Sequence, residues 1–341
     1  MTDSVYKYGE DIIWSLPMAF GYEMIWGAIV KSFKNKGIDL PRINGFGAPN
    51  CQWAGGRISS MRQQLDMDTI KRILDYYDSI NMTPAYTFTC TSLEPEEFKD
   101  PYTNYLLDAS LERDAHFIIY DDRLKDYIRS KKSDAYCVAS VIKPTVRYQG
   151  PGKLEASTPE GESAFYNELL KEYDLVVVRP EYSETTLLTN PEMIDDISRI
   201  EVLINQHCIK NCPRAPEHYR YLESVRLDEK RSAKKLPHVG CIKGDMHDTN
   251  FLENTLCHPQ EVVEKLVEHG VKHLKVQGRT MGPNLTAVLM EIYTQVFNCD
   301  GPHFLHVSDL AHGAVDSEAM YFDNEILHIR RQMPPQQMNM R

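Results

Sequence analysis

The chain has no basic excess. Its 341 residues hold 38 Lys plus Arg against 49 Asp plus Glu, a formal charge of −11. That balance makes nucleic acid a poor partner, because phosphate affinity comes from Lys and Arg neutralising the backbone; it leaves room for a local basic pocket. Long hydrophobic runs are missing too. The most apolar early stretch, residues 14–30, is interrupted by Glu23 and two glycines. It is short for a membrane span, so a buried helix or strand is expected there and no membrane partner. Near the start stand Asp3, Lys7, Glu10 and Asp11 rather than a basic segment leading into an apolar core. A cytoplasmic location is therefore expected. No dinucleotide-type glycine fingerprint follows any β-rich run. Neither a Gly-x-Ser-x-Gly elbow nor a His-Glu-x-x-His helix is present, which leaves a true peptidase poorly supported.

What is present is ordinary globular composition, 42% apolar and 26% charged, on a chain long enough for a sizeable core. Short runs rich in Val, Ile, Phe and Tyr recur at residues 42–46, 85–90, 116–120, 136–142, 175–178, 201–205 and 273–276. They are mostly unalternating, as expected of strands buried on both faces. An eighth strand is expected at residues 12–16 or around 252–256. Between the runs lie helical stripes: Ile70, Ile73, Leu74 and Tyr77; Tyr105, Leu106 and Ala109; Phe165, Leu169, Leu170 and Tyr173. Asn190-Pro191 and His258-Pro259 read as helix starts, and Gly270 as a helix stop.

Strand then helix, repeated without a linker, predicts an α/β fold, a TIM-like (β/α)8 barrel with parallel strands. A long irregular loop, residues 213–243, is expected after strand 6. Residues 1–312 read as a single barrel domain and 313–341 as an extension with a Met-, Gln- and Pro-rich mobile tail.

In such a barrel the chemistry sits where strands end. One stretch stands out there, Asn205-Gln206-His207-Cys208-Ile209-Lys210-Asn211-Cys212-Pro213, with His218-Tyr219 following. With Cys241 and Cys257 it gives Cys-x3-Cys-x28-Cys-x15-Cys, half of the eight cysteines. Cytosolic thiols stay reduced, so the set reads as metal ligands rather than disulfides. Four thiolates suit an iron–sulfur cluster or zinc; burial of Cys208 and Cys212 as plain core thiols is the bland alternative. Cys90, Cys137 and Cys299 read as core. Cys51 reads as a loop residue, with a mouth-facing thiol as its other option.

Alternation puts Lys275, Gln277 and Arg279 on one face of the last strand, toward the barrel interior. Two cations there need a carboxylate partner, such as Glu181 or a neighbour, or an anionic ligand. Lys275, Arg279 and His218 are the catalytic candidates. Asn44, Arg57, Thr89, Lys143, Arg179, Glu181, Asn205 and Gln277 are the substrate-binding candidates, joined by Thr87 and Ser140. Together they suggest a polar mouth for a small anionic or aromatic metabolite.

The segment from Asn205 to Tyr219 and the closing Lys275-Val276-Gln277-Gly278-Arg279 resemble the collagenase-like peptidase family U32. Pro259-Gln260-Glu261-Val262 matches that family's helix start, and residues 53–57 and 86–91 resemble strand-end segments of its divergent members. The likeness spans roughly residues 40–300, with its sharp motifs confined to the Cys and Gly-Arg segments. It implies a TIM-like barrel holding a 4Fe–4S cluster on Cys208, Cys212, Cys241 and Cys257. It also implies oxygen-independent hydroxylation or another redox step, related to anaerobic ubiquinone biosynthesis and RNA hydroxylation. The chain departs from the family in lacking its Gly-Arg-Cys segment and the longer stretch between the first two cysteines. A different reading is a non-catalytic accessory subunit with a structural metal site, zinc or iron–sulfur, working with a partner barrel.

Overall fold

Alternate residues of each short strand go to different places. In the computed structural model, which describes residues 4–55, 64–150, 152–153, 157–224, 255–277 and 292–298, Trp14, Ile43, Tyr86, Phe117, Val176, Val202 and Leu274 enter one apolar core. Phe46, Ala85, Ile118, Val138, Leu175, Val177 and Leu203 form a second, separate cluster. Two apolar cores divided by one layer of backbone are the signature of a closed sheet with helices outside it.

The sheet is a closed barrel of eight parallel strands. In chain order they are β1 (Ile13–Leu16), β2 (Ile43–Gly47), β3 (Met82–Phe88), β4 (His116–Ile119), β5 (Cys137–Ala139), β6 (Leu175–Val177), β7 (Ile200–Leu203) and, after an excursion, β10 (His273–Lys275). The last closes onto the first with Ser15 opposite Lys275. The expected TIM-like (β/α)8 architecture is the one observed. The excursion contains β8 (Asn205–Ile209) and β9 (Thr255–Cys257), an antiparallel pair.

Helices among the described residues include α1 (Glu23–Asn35), α2 (Met67–Ser79), α3 (Pro101–Leu111), α4 (Asp122–Lys131), α5 (Ile142–Tyr148), α6 (Pro159–Glu172), the single turn α7 (Pro180–Tyr182), α8 (Ala215–Ser224) and α9 (Gln260–Glu268). Ile70, Ile73, Leu74 and Tyr77 bury one face of α2 as their spacing requires. On α3 the buried row is Thr103, Leu106, Leu107 and Ser110, so Tyr105 and Ala109 flank it rather than centre it. Asp66, Asp100, Asp121 and Thr158 cap α2, α3, α4 and α6 through their side chains. Asp66 takes both the Thr69 N–H and its hydroxyl, at 2.9 and 2.8 Å, and its carboxyl is held below the usual range by those bonds. Asp66→Ala should cost about 1 kcal/mol of stability, read from the urea midpoint.

Several local expectations shift. The eighth strand is β1, whereas Thr255–Cys257 pairs outside the barrel. The long excursion follows the seventh barrel strand, not the sixth, and residues 215–224 within it are helical. Asn190-Pro191 starts a 3₁₀ turn, Pro191–Met193, with no side-chain cap. After His258-Pro259 the helix begins at Gln260, and Gly270 ends it with φ +107°, which favours glycine. At Gly47 a Cβ would lie 2.0 Å from the Ala19 carbonyl oxygen, so the end of β2 passes the loop after β1 only without a side chain.

Phe297, bridged through its backbone to Tyr6, stacks on Tyr6 and packs on Phe33 and Trp26 over α1. The barrel domain therefore gathers chain from both sides of β10. Its expected boundary at residue 312, and the extension 313–341, lie outside the described residues. Among the described residues no helix is long and apolar enough to cross a membrane.

Candidate active site

The carboxyl ends of the strands open into a pocket. Its floor is Phe46, Ile118, Val177 and Leu203; Thr87, Thr89, Ser140, Lys275 and Gln277 add polar groups, and Cys208 and Tyr219 come from the excursion after β7. The strand residues among them have the inward parity of the inner cluster, which explains why they converge. Tyr219 is carried by α8, and α8 is anchored by Glu223, only 3% exposed. That carboxylate accepts the Thr91 N–H at 2.8 Å and the Thr91 hydroxyl at 3.0 Å, tying α8 to the loop after β3.

Lys275 is buried at the last position of β10. Its Nζ donates to Glu201 Oε2 at 2.7 Å, and Ser15 Oγ donates to Glu201 Oε1 at 2.5 Å. The ammonium also lies 4.4 Å from the centre of the Phe46 ring, a cation–π distance. Burial alone would raise the Glu201 carboxyl, but the charge and hydrogen bond of Lys275, with Ser15, hold it below the usual carboxylate range. The pair is ionised, so the pocket presents an ammonium backed by a carboxylate. The carboxylate expected for Lys275 is thus Glu201 rather than Glu181.

Other candidates stand elsewhere. Asn205 is 1% exposed; its Oδ1 accepts the Gln277 N–H at 2.7 Å and its Nδ2 donates to the Gln277 carbonyl at 3.1 Å. The amide side chain replaces a backbone ladder where β8 turns away from the barrel. Lys143 pairs with Asp122 at 2.8 Å over the rings of Tyr120 and Tyr173, and burial pulls its ammonium down. Arg179 is held by Glu162 at 2.6 Å, and Glu181 by Gln149 and the Asn211 N–H. Asn44 is buried inside the barrel, two residues below Phe46 on the same face. None of these five lines the pocket. His218 is half-buried on α8 beside Tyr219, which takes the lining position instead. Arg57, Cys241, Arg279 and Cys299 lie outside the described residues.

Cys90 and Cys137 are core residues as expected, and burial pushes the Cys137 thiol up to about 11. Cys51, 3% exposed, joins the outer core, not the mouth. Cys208 and Cys212 are half-buried and not disulfide-bonded. The antiparallel register sets Asn205 opposite Cys257 and Ile209 opposite Thr255, so the backbones of Cys208 and Cys257 share one two-stranded ribbon. Among the described residues no three His, Cys, Asp or Glu side chains gather to hold a metal.

Sequence reading missed Glu201 and Ser15, and gave His218 the place of Tyr219. A carboxylate with inward parity in Glu201-Val202-Leu203, opposite a lysine-bearing strand, was the available signal. Ser183 Oγ lies 2.9 Å from His258 Nε2, but both are buried and away from the pocket.

No protein-family model matches the chain, and no curated protein matches it. Among solved structures, one described as a U32 peptidase is similar over 78% of this chain and 92% of its own, with 13% identity and a TM-score of 0.43.

Proposed function

We propose that the chain is a cytoplasmic barrel enzyme of U32-like type that acts on a small metabolite in the carboxyl-rim pocket. In this reading Cys208, Cys212, Cys241 and Cys257 hold a 4Fe–4S cluster at the rim. The observation that carries it is the position of Cys208, which lines the pocket while β9 returns the Cys257 backbone to the same ribbon. A bound cluster would supply single-electron transfer, the chemistry that oxygen-independent hydroxylation or another redox step needs. The chain's own residues orient the substrate. The Lys275 ammonium attracts an anionic group, the Phe46 ring offers a flat apolar face, and Thr87, Thr89, Ser140 and Gln277 offer hydrogen bonds.

The test is iron and sulfide content of protein purified without oxygen, with Cys208→Ala and Cys241→Ala alongside. About four irons and four sulfides per chain are expected, with loss in both variants. A colourless wild type holding zinc in their place would overturn the cluster and leave the accessory barrel, for which a co-purifying partner chain without turnover is the mark.

A further inference from the structure

The turn that carries the two thiols is gripped from beneath by a buried charge cluster. Asn211, between Cys208 and Cys212, has φ +53°, the left-handed conformation that asparagine tolerates better than most side chains. Its N–H donates to Glu181 Oε1 at 2.7 Å. Its side-chain oxygen faces Arg179 Nη1 at 3.5 Å. Both partners belong to the chain just after β6, and neither is at the surface: Arg179 is 3% exposed and Glu181 5%.

Those two residues are themselves fixed. Glu162 takes Arg179 Nη2 at 2.6 Å and Nε at 3.3 Å, and Gln149 Nε2 donates to Glu181 Oε1 at 3.1 Å. Among the described residues Glu181 Oε2 meets no hydrogen-bond donor, and it lies 3.9 Å from Arg179 Nη1. A carboxylate this deep is costly unless it is paired and hydrogen-bonded, and one of its bonds goes out to an excursion of the chain. A buried carboxylate just after β6 thus bonds the backbone of the left-handed residue inside the Cys208–Cys212 turn.

We infer that Glu181 is a positioning residue for the two thiols: through the Asn211 N–H it holds the left-handed turn that aims them at the rim. Their role as ligands rests on the function proposed above; the grip on the turn does not. Glu181→Leu removes the acceptor, whereas Glu181→Gln keeps an oxygen there. In metal-free protein, amide hydrogen exchange at Asn211 should quicken about tenfold or more in Glu181→Leu, the shift one charge-assisted hydrogen bond controls. Glu181→Gln should stay within about threefold of the wild type. In protein prepared without oxygen, Glu181→Leu should lose most of its iron while Glu181→Gln keeps it.

Unchanged exchange at Asn211 in a folded Glu181→Leu protein would overturn the inference, as would equal iron loss in the Gln variant. If the wild type itself binds no iron, the cluster reading falls and the exchange comparison alone decides this one. Should Glu181→Leu not fold, Asn211→Val breaks the turn from the outer side, since a β-branched residue resists positive φ. Exchange at Cys212 should then quicken while Asn211→Gly leaves it unaltered; no difference between the two variants would overturn the inference.

Discussion

Lys275→Met should destabilise the protein by about 3–5 kcal/mol, because it strands the Glu201 carboxylate inside the barrel. Glu201 is 1% exposed and has two donors, Lys275 and Ser15. Removing the ammonium leaves one hydroxyl to answer a full charge in a region that water does not reach. Removing both partners is milder: in Lys275→Met/Glu201→Leu no charge remains, and Phe46, Leu203 and Val177 stand nearby to pack the new side chains. The double variant still orphans the Ser15 hydroxyl, which costs about 1–3 kcal/mol. Adding Ser15→Ala should recover that part. Urea unfolding of the three variants checks the order, with the single variant least stable and the triple nearest the wild type. A single variant as stable as the wild type would remove the buried pair from the account. In all three the pocket loses its cation, so a metabolite anion should bind more weakly even where stability returns.

The barrel was legible because its strands are short apolar runs between amphipathic helices, and seven of the eight stood at or near their observed places. Boundaries were less so. The run read at 85–90 is β3 at Met82–Phe88, which begins three residues earlier and carries Pro84, a residue without an N–H to give a ladder. Ser140, Val141 and Ile142 continue the apolar run of β5, yet the chain has already left the strand and started α5. The site was legible only in part, and the reason is directional. Strand parity places Lys275 and Gln277 inside from sequence alone, and the structure sends both to the pocket. Arg179, Glu181, Lys143 and Asn205 sit past the ends of the barrel strands, where the barrel's parity no longer applies and each side chain follows whichever partner burial supplies. Asn205 shows the limit well. A polar residue at a strand end reads as a ligand, but its amide is needed to close two backbone groups of Gln277 where the ladder breaks. The pairing of β8 with β9 spans an excursion too long for any local pattern to reveal.

Acid should weaken the fold well before carboxylates titrate. His258 is buried and His116 half-buried, and desolvation pulls each imidazole down to about 4; burial also lowers His273. His116 lies at the amino end of the barrel, stacked on Tyr136 at 4.0 Å, with Glu201, Asp174 and Asp114 offsetting the desolvation and His273 adding to it. His258 sits against Ser183, with the Lys210 charge adding to the desolvation. In the unfolded chain each imidazole titrates near 6.5, so unfolding takes up protons below that pH and the folded state does not. Stability is therefore complete above about pH 6.5 and lost progressively as pH falls toward 4. Two such groups give a slope of about 2.7 kcal/mol per pH unit, and about 7 kcal/mol across the window. That is a large share of the whole stability of an ordinary domain, about 5–15 kcal/mol. Below about pH 4.5 the carboxylate of Glu201, depressed by Lys275 and Ser15, adds to the loss in the same direction. Urea midpoints from pH 7 to 4.5 measure the slope, and His116→Gln and His258→Gln should each flatten it by about one proton. A stability that stays level between pH 7 and 5 would mean that these rings take up protons in place, and their neutral, desolvated state in the fold would have to be given up.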